Sequence, residues 1–279
     1  MSGDAAPVRL WLIGSGIRQS PSPAMQEAAL RACGRSGWYQ LVDVSAAELP
    51  EVLLRMRAGE VRGANVTVPH KAVMASACDE LVGDAMLCGV VNTITVEGGR
   101  LIGDNTDADG FQLGLSANQL WVKGGADVVI VGGGGVAAAC ALALSRAPAR
   151  IVLTTRRIGQ AEAVRDQLWP VVVSSVVGWR SPELADALRS ASLVVNATSA
   201  GLRAMPFFIR DLPPTCGVAD VRYRPRPVDL VAAAREAGHP ACDGLEMLLQ
   251  QGMLAFQLWT GEEPPWSAAR AALHERVGV

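Results

Sequence analysis

Hydrophobic residues fall into short runs separated by amphipathic stretches, and the two kinds of segment alternate along almost the whole chain. In the first hundred residues, apolar runs at 8–13, 41–44 and 64–68 alternate with helical periodicity at 24–33 and 49–56. Short apolar runs bounded by turn residues read as strands, and apolar positions three and four apart read as helices. Glu97-Gly-Gly-Arg100 sits between Thr93-Ile-Thr-Val96 and Leu101-Ile102. Paired glycines accept the positive φ of a tight hairpin, so an antiparallel piece is expected to close the first sheet. From Asp127 onward, strand-like runs at 128–131, 151–153, 171–177, 193–195 and 218–221 alternate with helical segments, which predicts a parallel, doubly wound sheet. Helical patterns at 245–259 and 267–276 follow and are expected to pack back on the first domain. The expected fold is α/β with two domains: 1–107, with a mostly parallel sheet and completed by the helices of 245–279, and 108–244. A length of 279 residues agrees, because single cores stop growing near that size.

Composition narrows the partners. Half the residues are hydrophobic and the formal net charge is -2, so no basic field exists to hold a nucleic acid backbone. No apolar run is long enough to span a bilayer, and residues 1–7 show no basic segment followed by an apolar one. The expectations are a cytoplasmic monomer or homodimer acting on a small molecule, without nucleic acid or membrane. Cys33, Cys78, Cys88, Cys140, Cys216 and Cys242 are scattered without a C-x-x-C pair, so neither a metal site nor a disulfide framework is expected.

Val128-Val-Ile-Val131 leads directly into Gly132-Gly-Gly-Gly-Val-Ala137, and 138–144 reads as a helix. A strand, a glycine turn and a helix in that order bring bare backbone to a pyrophosphate at the positive end of the helix. Gly132, Gly134, Gly135, Val136 and Ala137 are therefore the expected dinucleotide residues of a Rossmann-type domain. The next strand ends Leu153-Thr-Thr-Arg-Arg157, without the carboxylate that holds the ribose of NAD. Thr155 and the adjacent guanidinium groups of Arg156 and Arg157 suit the extra phosphate of NADP, so NADP is expected over NAD.

Gly63-Ala-Asn-Val-Thr-Val-Pro-His-Lys71 places Asn65 and Thr67 on one side of a strand, and Pro69 is expected to start a helix with Lys71 in its first turn. The chain has two lysines, Lys71 and Lys123, against 23 arginines, so lysine at 71 reads as a chemical choice. At this point the chain resembles the shikimate/quinate dehydrogenase family. Its N-V-T-V-P-x-K stands as Asn65–Lys71, its V-N-T as Val91-Asn-Thr93, its G-x-N-T-D as Gly103-Asp-Asn-Thr-Asp107, its N-A-T-S-x-G as Asn196-Ala-Thr-Ser-Ala-Gly201, and its D-G-x-x-M-L-x-x-Q-G as Asp243 to Gly252. The resemblance implies an NADP-dependent enzyme that moves a hydride between the cofactor and a ring secondary alcohol of shikimate, giving 3-dehydroshikimate. It implies Lys71 and Asp107 as the catalytic pair, with Asn65, Thr67, Asn92 and Gln251 on the substrate hydroxyls. Either Lys71 or Asp107 could take the hydroxyl proton, because burial lowers a lysine pKa while a neighbouring carboxylate raises it. Ser20 and Ser22 match the family's S-x-S-P, which binds the substrate carboxylate; Ser22 is also expected to cap the helix near Pro23. Tyr223 matches D-x-x-Y-x-P and would line the mouth of the site, and Thr198 joins the cofactor residues.

The chain also departs from the family. The usual Asn-Pro before the serines is Ser15-Gly16, H-N is Gln26-Glu27, N-R-T is Thr155-Arg-Arg157, and Y-x-P continues Arg226-Pro-Val-Asp229. These changes keep an alternative open: a paralogue acting on quinate or an amino-substituted analogue, possibly with NAD. A non-catalytic nucleotide-binding sensor and a folate-type dehydrogenase are the remaining alternatives, disfavoured by Lys71 with Asp107 and by the two serines respectively.

Overall fold

The structure is a computed structural model that describes residues 6–120, 122, 125, 127–147 and 149–279; Lys123 and residues 1–5 lie outside them. The chain divides into two compact units, one of Met1–Thr106 with Gln251–Val279 and the other of Asp107–Gln250.

In the first unit the order is β1 (Val8–Gly14), α1 (Ser22–Ala32), β2 (Gly37–Asp43), α2 (Leu49–Arg57), β3 (Gly63–Val66), α3 (Lys71–Ala77), β4 (Glu80–Leu81), α4 (Ala85–Cys88), β5 (Thr93–Glu97) and β6 (Arg100–Asp104). These strands form one six-stranded sheet ordered β2-β1-β3-β5-β6-β4. β1 pairs in parallel with β2 and β3, β4 with β6, while β5 runs antiparallel to β3 and β6. The hairpin between β5 and β6 turns through Gly98 and Gly99, at φ of 58° and 82°.

The second unit continues with α5 (Asp107–Ala117), β7 (Asp127–Val131), α6 (Gly135–Ser145), β8 (Arg150–Thr154), α7 (Ile158–Leu168), β9 (Ser174–Val177), α8 (Pro182–Arg189), β10 (Ala191–Asn196), β11 (Gly217–Asp220), α9 (Asp229–Glu236) and β12 (Ala241–Cys242). Its sheet is parallel throughout the described pairings and ordered β12-β11-β10-β7-β8-β9. All five residues of β7 are buried, which explains the unbroken apolar run of 128–131 after Asp127: a central parallel strand is covered on both faces. Residues 137–144 of α6 are likewise buried one after another, so that helix is apolar all round, and its alanines keep it close to its neighbours. The strand order reverses between β7 and β10, which leaves a crevice at their C-terminal ends.

α10 (Leu245–Thr260) runs from the second unit into the first, and α11 (Trp266–Val277) packs against α1. Within the first unit Trp259 of α10 is buried and donates its indole N–H to the Ile94 carbonyl at 2.9 Å, tying the returning helix to β5.

Three local expectations change. The run at 171–177 is strand only from Ser174, because the Val172 N–H is bonded back to the Leu168 carbonyl at the end of α7 and Val171 and Val173 face solvent. Helix α3 starts at Lys71, two residues after the expected Pro69, because the His70 N–H closes a turn on the Thr67 carbonyl at 2.9 Å. Ser22 is the first residue of α1, after an N-cap at Pro21, and makes no capping hydrogen bond; the Ser20 hydroxyl accepts the Ser22 N–H at 3.3 Å.

Candidate active site

The first unit assembles a buried polar network from residues far apart in sequence. Asn65 on β3 donates its amide hydrogens to the Asn92 carbonyl at 3.1 Å and the Thr93 hydroxyl at 3.2 Å, and its Oδ1 accepts the Tyr39 hydroxyl at 2.8 Å. Burial pushes the Tyr39 phenol far above its ordinary range, so it stays a protonated donor. Asn92, just before β5, donates to the Thr106 hydroxyl at 3.0 Å and to Gln251 Oε1 at 3.2 Å, while its Oδ1 accepts the Thr106 N–H at 2.8 Å. The Thr106 hydroxyl in turn donates to the Gln251 carbonyl at 3.0 Å. Asn65, Asn92, Thr93 and Thr106 are all buried. A buried network satisfied in this way fixes the orientation of its members, here the amide of Gln251 above all.

Lys71 and Thr67 border this network. Thr67 is half-buried beyond the end of β3, and its N–H donates to the Ile13 carbonyl at 2.9 Å. Lys71 is half-buried at the start of α3, with its carbonyl accepting the Val91 N–H at 3.1 Å, next to Asn92. His70 is buried and its Nε2 lies 2.8 Å from the Val44 carbonyl, which anchors the start of α3 to the end of β2. Ser20 donates its hydroxyl to Ser22 Oγ at 3.1 Å, so the two hydroxyls stand side by side. Gln26 is buried and donates to the Gly252 carbonyl at 2.8 Å, beside Gln251, and its Oε1 has no hydrogen-bond partner among the described residues. Asp107 belongs to the second unit, where it is the buried first residue of α5.

The second unit carries the glycine turn at its topological switch point. Gly132 has φ 152°, and a Cβ there would lie 2.9 Å from the Ala197 carbonyl oxygen at the end of β10. Gly133, not singled out from sequence, is the tighter position: a Cβ would come within 2.7 Å of Gln160 Cβ and 3.0 Å of the Ala161 nitrogen on α7. Gly134, the N-cap of α6, is exposed, and a Cβ there would meet nothing within 4 Å. The start of α6 at Gly135, with half-buried Val136 and buried Ala137 behind it, thus presents backbone N–H groups beside open space, a cradle suited to a pyrophosphate. Thr155 is half-buried at the end of β8; Arg156 and Arg157 are exposed and form no ion pair with the described residues.

Beside the turn, Asn196 is fully buried and its Oδ1 accepts both the N–H and the hydroxyl of Thr198, at 3.1 and 2.7 Å. Asn196 also donates to Asp220 Oδ2 at 3.0 Å, and Asp220 is paired with Arg222 at 2.6 Å, itself paired with Asp229 at 2.7 Å. This chain of groups holds the loop after β10 against the glycine turn and fixes the backbone before Tyr223. Burial raises the Tyr223 phenol pKa against the opposing charge of Arg224, so Tyr223 is a neutral hydrogen-bonding group. Tyr39 escaped sequence reasoning because its partner comes from another strand, and the Asp220–Arg222 pair because its tie to Asn196 crosses from β11 to β10. Thr106 carried a signal, its place inside the G-x-N-T-D string beside Asp107.

Cys88, Cys140, Cys216 and Cys242 are buried thiols, and no cluster of metal-ligating side chains occurs among the described residues. No helix among the described residues is long and apolar enough to cross a membrane.

Residues 12–94 match the shikimate dehydrogenase substrate binding domain and residues 244–274 the shikimate 5'-dehydrogenase C-terminal domain. The NADP-dependent shikimate dehydrogenase of Methanopyrus kandleri is 35% identical over 99% of this chain and 98% of its own length. The shikimate 5-dehydrogenase of Thermus thermophilus, solved with NADP(H) and shikimate, superposes with a TM-score of 0.86 at 33% identity, covering 96% of this chain and 99% of its own. The quinate dehydrogenase of Corynebacterium glutamicum, solved with NAD, gives a TM-score of 0.88 at 33% identity over 96% of this chain and 99% of its own. With identity at this level running the full length of both units, the chain belongs to the shikimate dehydrogenase family.

Proposed function

We propose that this chain interconverts shikimate and 3-dehydroshikimate with NADP as the hydride carrier. The observation that carries this reading is the presence in one chain of a buried amide and hydroxyl network ending at Gln251 and of an open glycine cradle followed by two exposed arginines that pair with none of the described residues. NADP supplies a nicotinamide ring that accepts or gives the hydride. Everything else falls to side chains of this protein. Ser20 and Ser22 hold the substrate carboxylate with hydroxyl donors, which add no charge of their own. Asn65, Thr67, Asn92 and Gln251 fix the ring hydroxyls, and the hydrogen bonds of Asn65 to Asn92 and Thr93 and of Asn92 to Thr106 and Gln251 hold that set together. Lys71 and Asp107 handle the proton of the reacting hydroxyl as a lysine and carboxylate pair. In the cofactor unit Gly132, Gly134, Gly135, Val136 and Ala137 carry the pyrophosphate, Thr155, Arg156 and Arg157 the extra phosphate, and Thr198 and Tyr223 the edge of the site.

A second reading, quinate with NAD, draws on the similarity to the Corynebacterium glutamicum quinate dehydrogenase. The end of β8 speaks against the NAD half of it, because no carboxylate stands there to take a ribose hydroxyl. The test is initial-rate absorbance at the reduced-nicotinamide band, crossing shikimate and quinate with NADP and NAD. The expected result is turnover of shikimate with NADP and a loss of at least about a hundredfold in kcat for Lys71→Ala, in line with removal of a general acid or base. Turnover of quinate with NAD alone would replace the first reading by the second, and silence in all four combinations would remove both.

A further inference from the structure

The loop that carries the serine pair is held by a carboxylate from a neighbouring strand. The register pairs Gly14 at the end of β1 with Asp43 at the end of β2, so the Asp43 side chain stands beside the point where the loop leaves the sheet. Its Oδ1 accepts the Gly16 N–H at 2.7 Å and its Oδ2 accepts Arg18 Nε at 3.2 Å. Gly16 has φ 72°, in the left-handed region, although a Cβ there would meet nothing within 4 Å. The demand for glycine is therefore conformational and not a matter of space. Proline, the residue of the family motif at this position, fixes φ near about −65° and has no N–H, so it can supply neither the turn nor the bond to Asp43. The rest of the loop is stitched down by the Ser15 N–H on the Val68 carbonyl at 3.1 Å and the Ser20 N–H on the Ile17 carbonyl at 2.8 Å, which delivers Ser20 beside Ser22.

We propose that Asp43 is a positioning residue for the carboxylate clamp of Ser20 and Ser22, acting through the Gly16 N–H. This inference rests on the proposed binding of a substrate carboxylate by the two serines. Charge alone makes the opposite forecast. Asp43 is an anion near a site for an anion, so deleting it on Coulomb grounds would tighten the carboxylate. Arg18 offsets little of that in its favour as a structural pair, because its side chain is 89% exposed and such pairs are weak. If Asp43 acts by holding the loop, its removal loosens the clamp and the substrate binds less well.

The test uses the full-length chain with NADP saturating and compares shikimate with its methyl ester, which has the same ring but no carboxylate. Asp43→Ala is expected to raise KM for shikimate about tenfold, the worth of one hydrogen bond to a charged group, with kcat kept within about twofold. KM for the ester and for NADP stays near the wild-type value. Asp43→Asn keeps a neutral acceptor for the Gly16 N–H and is expected to recover part of the loss, with a KM between those of Asp43→Ala and the wild type. Gly16→Pro removes the N–H and the left-handed turn with Asp43 in place, and is expected to reproduce the selective rise, so the question is answered even where Asp43→Ala fails to fold. Equal losses on acid and ester, an unchanged KM for shikimate, or a tighter one in Asp43→Ala and Gly16→Pro would overturn the proposal. Failure of the wild-type chain to turn over shikimate at all would instead strike the proposed function.

Discussion

Replacing Arg156 and Arg157 together by serine should abolish the preference for NADP while sparing whatever activity NAD supports. Both guanidinium groups are exposed and neither is ion-paired to a described residue, so a phosphate arriving there breaks no existing interaction. A hydrogen bond to a charged group contributes about 1.5–3 kcal/mol, and exposure places each arginine near the lower end of that range. Two such contacts amount to about 3 kcal/mol, a factor of about 150 in affinity. NAD lacks the phosphate, so its kcat/KM should move by less than about twofold, and the NADP to NAD ratio should fall about a hundredfold. The assay is a titration of each cofactor at saturating shikimate, repeated at low and high salt. The wild-type preference for NADP should shrink as salt screens the exposed charges, and the double variant should show no such trend. An unchanged ratio would refute the assignment of the two arginines to the phosphate. A parallel loss with both cofactors would refute it differently, by showing that the substitutions disturb the start of α7, which follows directly on Arg157.

Three further outcomes follow from packing and charge. Thr106→Val removes a hydroxyl that accepts from Asn92 and donates to the Gln251 carbonyl, so two hydrogen bonds of the network are lost; chemical denaturation should show a loss of about 1–3 kcal/mol, with KM for shikimate rising more than KM for NADP. Gly133→Ala puts a Cβ within 2.7 Å of Gln160 Cβ and 2.9 Å of the Gln160 carbonyl carbon, so α7 must shift; a loss of about 1–3 kcal/mol on thermal unfolding and a higher KM for NADP are expected, and an unchanged melting curve would refute the close packing. The Arg57 guanidinium, helped by the Leu101 N–H, holds the Asp79 carboxyl below its usual range. A depressed folded pKa gives stability that is fully present above the unfolded value of about 3.9 and is lost as pH falls through the folded one, so Asp79→Asn should flatten the acid limb of the urea midpoint below about pH 4 and leave neutral pH as the region of largest difference.

What could be seen in the sequence, and what could not, divides along sequence distance. The glycine turn was legible because strand, turn and helix are contiguous, and β7, β8, β10 and β11 announced themselves through buried apolar runs, whereas the two-residue β12 left no such signal. Helix α5 was missed, since Asp107-Ala-Asp-Gly-Phe-Gln-Leu-Gly-Leu115 carries two glycines and little periodic contrast. The 171–177 run misled because its valines suggest a strand throughout, whereas the Val172 N–H is captured by the Leu168 carbonyl at the end of α7. At the candidate site the short motifs mark Asn65, Asn92, Gln251 and the serines, but the groups that orient them are remote: Tyr39 reaches Asn65 across 26 positions, and Gln26 reaches the Gly252 carbonyl across 226. Departures from a motif inherit the same difficulty. Ser15-Gly16 in place of Asn-Pro looks like the loss of a rigid turn when read along the chain. Across the sheet it is the exchange of one restraint for another, because the freed N–H and the left-handed φ at Gly16 are what let Asp43, 27 positions away, take over the loop. A substitution that deletes a local constraint can be judged only after asking which distant group the fold has brought up to replace it.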